Sequence, residues 1–106
     1  MTKQRFLFLY EDPSLTEIFI DTLVDEGLNF RCSLINNQNE FLSKLSEFNP
    51  NILFVEYTFA TLVVKDALNL GIDNESKIPI IVYSGSVSFE EAMMNIGDDL
   101  DDYINL

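Results

Sequence analysis

The chain has 106 residues, six basic and eighteen acidic, for a formal charge of −12, with no histidine and a single cysteine. That length suits one domain with one core, and the negative field repels phosphate backbones, which argues against direct nucleic-acid binding. Zinc sites, histidine-based nucleophilic catalysis and internal disulfides lack the groups to build them.

No apolar run reaches membrane-spanning length, and Met1-Thr2-Lys3-Gln4-Arg5 precedes too short an apolar segment for a signal peptide. We therefore expect a cytoplasmic protein without a membrane partner. Cys32 lies among apolar neighbours, where a packed thiol is the usual outcome.

The first strand is expected over Phe6 to Tyr10, an unbroken apolar run of the kind buried on both faces, with Glu11 and Asp12 at its end. Pro13 suits the first position of a helix with Asp12 as N-cap. Leu15, Ile18, Phe19 and Leu23 recur at helical spacing, and Gly27 closes the helix. Phe30 to Ile35 read as a second, less uniformly apolar strand at an edge. Asn37 and Glu40 resemble a capping box ahead of an apolar helical face of Phe41, Leu42, Leu45 and Phe48, which Pro50 ends.

Ile52-Leu53-Phe54-Val55-Glu56 is the central strand, ending in a carboxylate. Tyr57 to Ala60 are expected as a loop, Thr61 to Leu70 as a helix closed by Gly71, and 73–76 as a polar connection. Ile78 to Tyr83 form the fourth strand, with Pro79 near its start, and Ser84-Gly85-Ser86 a turn. Ser88 to Glu91 read as a capping box for a helix through Met93, Met94 and Ile96. Asp102 to Leu106 form the last strand.

Strands alternating with helices through short loops imply a doubly wound α/β domain over 1–106 with a five-stranded parallel sheet. Right-handed crossovers deliver the strand ends to one rim, so Glu11, Asp12, Glu56 and Ser84 should converge there.

These residues carry a resemblance. Leu7-Phe8-Leu9-Tyr10-Glu11-Asp12-Pro13-Ser14-Leu15, Pro50 to Glu56, Ile80-Ile81-Val82-Tyr83-Ser84-Gly85 and Asp101-Asp102-Tyr103 resemble the corresponding stretches of receiver domains of bacterial response regulators, a flavodoxin-like fold. The resemblance spans essentially the whole chain and implies the strand order 2-1-3-4-5. It implies an acidic pair at Glu11 and Asp12, a phosphoacceptor position at Glu56, switch positions at Ser84 and Tyr103, and a lysine position at Leu106. In working receivers the acidic pair and the acceptor aspartate hold Mg²⁺, the aspartate takes a phosphoryl group, and hydroxyl and lysine grip it.

Two departures change the expected function. Glu56 carries its carboxylate one methylene further than an aspartate, and phosphoryl transfer depends chiefly on positioning. Leu106 cannot neutralise an acyl phosphate. The expected function is that of a non-enzymatic pseudo-receiver, a protein-interaction module of two-component signalling with a histidine kinase or effector domain as partner.

The alternatives are a phosphate-accepting switch with atypical chemistry on Glu56 or Ser84, and a small-ligand sensor. No cofactor is required, although Mg²⁺ on Glu11, Asp12 and Glu56 stays open because hard cations take oxygen ligands. The family's fifth helix has no counterpart before Leu106, whether the chain is complete or cut from a longer one. The face beside the first helix is therefore expected to be uncovered, and a homodimer would bury it.

Overall fold

The computed structural model describes residues 3–59, 78–85, 90, 91, 94 and 102–106, with only the backbone of Gln38 and Leu42. The elements are β1 (Gln4–Leu9), α1 (Pro13–Asp25), β2 (Phe30–Ile35), a 3₁₀ turn (Gln38–Glu40), α2 (Phe41–Phe48), β3 (Ile52–Glu56), β4 (Ile80–Ser84) and β5 (Asp102–Asn105). The strands form one sheet in the order β2-β1-β3-β4-β5, with every pair parallel. The helix expected over Thr61 to Leu70 and the connection at 73–76 lie outside the described residues. So does most of the helix expected after Ser88, of which Glu90, Glu91 and Met94 are helical.

Period-two alternation sorts the side chains onto two faces. On one, Leu7, Leu9, Ile35, Leu53, Val55, Ile80 and Val82 pack with Phe41, Leu45 and Phe48 of α2. On the other, Phe6, Phe8, Phe54 and Tyr83 pack under Phe19 of α1. The aromatic rings there interlock: Phe8 stacks on Phe54 at 4.8 Å, and Phe19 meets Phe54 edge-on at 5.3 Å. Buried on both faces, β1 and β3 show why their sequences are continuous apolar runs rather than alternating ones.

Local chemistry sets the helix ends. Asp12 Oδ1 accepts from the Ser14 and Leu15 amides, and Pro13 opens α1. At the far end Gly27 takes φ +84°; its amide donates to Val24 O, and that of Leu28 to Leu23 O. This is the double closure that favours a glycine. Asn37 Oδ1 accepts from the Glu40 amide, so the expected cap forms, but over the 3₁₀ turn that precedes α2.

Several expectations are corrected. Phe19 is buried as expected, and Leu15 and Leu23 pack against the same cluster, but Ile18 is 60% exposed; Thr16 takes its place on the buried face, its hydroxyl bonded to Tyr83. Cys32 is exposed, not packed. It lies on edge strand β2, whereas Phe19 centres α1 over Phe8, Phe54 and Tyr83, on β1, β3 and β4.

Residues 57–59 are helical rather than a loop, so helical structure begins directly after β3. Ser84 belongs to β4 rather than to a turn, because its carbonyl still accepts from the Leu106 amide at 2.8 Å. Ile78 precedes β4, which starts at Ile80. Tyr10 lies beyond β1, yet its amide continues the ladder to Ile35 O at 3.0 Å. None of the described helices is long and apolar enough to cross a membrane.

Candidate functional site

The carboxyl ends of β1, β3 and β4 bring the expected rim residues together. A cleft of about 370 Å³ is lined by Asp12, Leu15, Glu56, Tyr57, Thr58, Ser84 and Gly85. Glu56, the last residue of β3, is only 7% exposed, and Ser84 at the end of β4 is equally buried. Asp12 reaches the cleft from the cap of α1, while the side chain of Glu11 is exposed and does not line it.

Glu56 is engaged in one specific way. Its Oε1 accepts from the backbone amides of both Glu11 and Asp12, each at 2.9 Å. A buried carboxylate requires such partners, and charge-assisted bonds from backbone N–H groups are among the stronger ones. Glutamate has the reach for this contact: β1 and β3 are neighbours in register, and the extra methylene carries Oε1 across to the β1–α1 loop.

Tyr103 on β5 does not line the cleft but is half-buried and hydrogen-bonded to Ser84, which does. Burial pushes its phenol above the ordinary range, and the Ser84 bond opposes this. Leu106 is fixed beside the cleft by its amide bond to Ser84 O, with its side chain 38% exposed. An alkyl chain there supplies no cation.

The Mg²⁺ cage left open by the resemblance is not assembled in this arrangement: among the described residues no three His, Cys, Asp or Glu side chains group as metal ligands. Two of the carboxylates each have one oxygen engaged elsewhere, and the third faces away. Asp12 Oδ1 caps α1, Glu56 Oε1 sits on two amides, and the Glu11 carboxylate faces solvent. In this arrangement the three carboxylates do not group around one point, and no chemistry is routed through a divalent ion.

Sequence reasoning missed two features. The first is Thr16 Oγ1 bonded to the Tyr83 hydroxyl at 2.8 Å, both side chains being buried. A phenol inside an apolar strand needs a polar partner, and that rule would have prompted the search. The second is the role of the Glu11 and Asp12 amides, which no side-chain pattern announces.

A doubly wound sheet with a buried carboxylate and a buried hydroxyl at its carboxyl rim defines a flavodoxin-like α/β domain. More narrowly, the fold is that of response-regulator receiver domains. The receiver domain of a response regulator from Bermanella marisrubri superposes with a TM-score of 0.69 at 20% identity, covering 98% of this chain and 86% of that one. The receiver domain of the sensor histidine kinase PA1611 from Pseudomonas aeruginosa PAO1, which has a magnesium ion coordinated in its active-site cleft, gives 0.66 at 15% identity, covering 98% and 85%.

In sequence, the chain is 22% identical over 102 residues to the DNA-binding response regulator MtrA of Mycolicibacterium smegmatis, across 96% of this chain and 43% of MtrA. The chain thus spans less than half of that relative. No family model matches it.

Proposed function

We propose that this domain is a pseudo-receiver: a non-enzymatic signalling module of a two-component or phosphorelay pathway that does not accept phosphate. The observation that carries this reading is the Glu56 carboxylate at the acceptor position, buried and drawn onto the Glu11 and Asp12 amides. A nucleophile so engaged is poorly placed for in-line attack on phosphorus, where positioning supplies most of the catalysis. Leu106 at the lysine position adds no charge to stabilise an acyl phosphate.

On this reading the domain works in the cytoplasm by contact with a histidine kinase or an effector domain, and not by touching nucleic acid. A charge of −12 supports that last point. The sheet face holding the half-buried Ile81 and Ile104 offers a surface for a homodimer, and sedimentation at micromolar concentration reads it.

Intact-mass measurement after incubation with a small phosphodonor and Mg²⁺ tests the reading. The mass stays unchanged. Glu56→Asp alone restores little acceptance, and Glu56→Asp with Leu106→Lys restores more. A labile phosphoryl adduct on the wild-type chain refutes the proposal in favour of an atypical phosphate-accepting switch.

A further inference from the structure

We infer that Glu56 is an internal ligand of the β1–α1 loop, a carboxylate that holds the acidic-pair loop in one fixed position and so makes the cleft insensitive to added cation. This deepens, and rests on, the reading of the cleft as a receiver site that takes no phosphate. A carboxylate with 7% of its surface exposed needs compensation for its lost hydration. Position 106 supplies an alkyl chain, so backbone dipoles do the neutralising. The amides of Glu11 and Asp12 both converge on Oε1 at 2.9 Å, immediately before Pro13 opens α1, where the helix end carries its partial positive charge.

The contact joins β3 to a loop 44 residues away in sequence. The loop is also tied from its other side, since Asp12 Oδ1 caps α1. Glu56 therefore sets where Asp12 sits, and through the same loop where Leu15 stands at the cleft wall. Length and acceptor character are both needed. A carboxylate one methylene shorter falls short of two amides at once, whereas a neutral amide oxygen of the same length still reaches them.

Amide hydrogen exchange by NMR on the whole chain tests this directly. In the wild type the Glu11 and Asp12 amides exchange slower than free loop amides by on the order of tenfold or more, as bonds to a charged acceptor predict. Glu56→Gln keeps part of that protection and Glu56→Asp loses it. Millimolar Mg²⁺ leaves both amide signals of the wild type in place.

Exchange of both wild-type amides at free-loop rates overturns the inference. So does full protection in Glu56→Asp, or a saturable Mg²⁺ shift accompanied by loss of protection. A phosphoryl mass gain, in contrast, overturns the underlying reading without touching the exchange result, so the two failures are distinguishable.

Discussion

Thr16 and Tyr83 meet through their hydroxyls, 2.8 Å apart, across the interface of α1 and β4, and neither side chain is more than 1% exposed. The bond sits one residue from Leu15 on α1 and one residue from Ser84 on β4, both of which line the cleft. It is therefore a polar fastening inside an aromatic cluster, and it registers the helix against the strand that carries Ser84.

Removing one partner leaves the other unsatisfied. Tyr83→Phe should cost about 1–3 kcal/mol of unfolding free energy, because the Thr16 hydroxyl then stays buried alone. Adding Thr16→Val to that background should recover part of the loss. Urea denaturation of the wild type and the two variants measures both values, and a cost near zero for Tyr83→Phe would mean the Thr16 hydroxyl finds another partner.

The same phenol makes stability fall at alkaline pH. Burial, first, and the nearby Glu56 and Asp12 charges raise the Tyr83 phenol well above its ordinary 10.0, against the opposing Thr16 bond. In the unfolded chain it ionises near 10.0 while the folded chain keeps its proton, so the folded state binds more protons above that pH. Stability is thus full below pH ~10 and declines above it, by at most about 1.4 kcal/mol per pH unit for this group. Urea midpoints across that range should fall more steeply for the wild type than for Tyr83→Phe, and parallel curves would contradict the assignment.

Gly85 borders the cleft, and a Cβ placed there lies 3.2 Å from Leu15 Cδ1 and 3.6 Å from Cδ2. The opposing atoms are the flexible end of a half-buried side chain. Gly85→Ala should therefore cost less than ~1 kcal/mol, displacing Leu15 and narrowing the cleft, whereas Gly85→Leu should cost more by overpacking. Thermal unfolding ranks the two, and equal penalties would show that Leu15 does not yield.

The fold was legible because its signals are local and redundant. The apolar runs at Phe6 to Leu9 and Ile52 to Val55, the Asp12-Pro13 start and the Gly27 stop each specify an element; alternation with helices implies a doubly wound parallel sheet, and the resemblance to receiver domains its order. The convergence of Asp12, Glu56 and Ser84 followed from topology alone. Part of what their atoms do there followed as well, since Asp12 caps α1 as its place before Pro13 implies. That the Glu11 side chain faces solvent and that Glu56 binds the loop amides did not follow, because neither is written in a local side-chain pattern. Ile18 and Cys32 were misjudged for a related reason. Apolar spacing fixes a helix face or a strand, but the lateral placement of α1 over the sheet decides which edge it leaves uncovered.

At the opposite rim, Arg5 repeats with reversed sign what happens at Glu56. Its Nε donates to Asn49 O at 2.7 Å, and its amide donates to Asn51 Oδ1 at 2.8 Å. Asn49 takes a left-handed φ of 52° to make the corner, and the Asn51 amide returns a bond of 2.7 Å to Arg5 O. A cation at one rim and an anion at the other are thus each seated on peptide groups rather than on each other. Dissolved ions screen long-range repulsion among the acidic residues far more than they weaken short contacts to backbone dipoles. The chain is accordingly expected to tighten as ionic strength rises, the crowd of like charges quietening while the seats that position the two rims stay as they are.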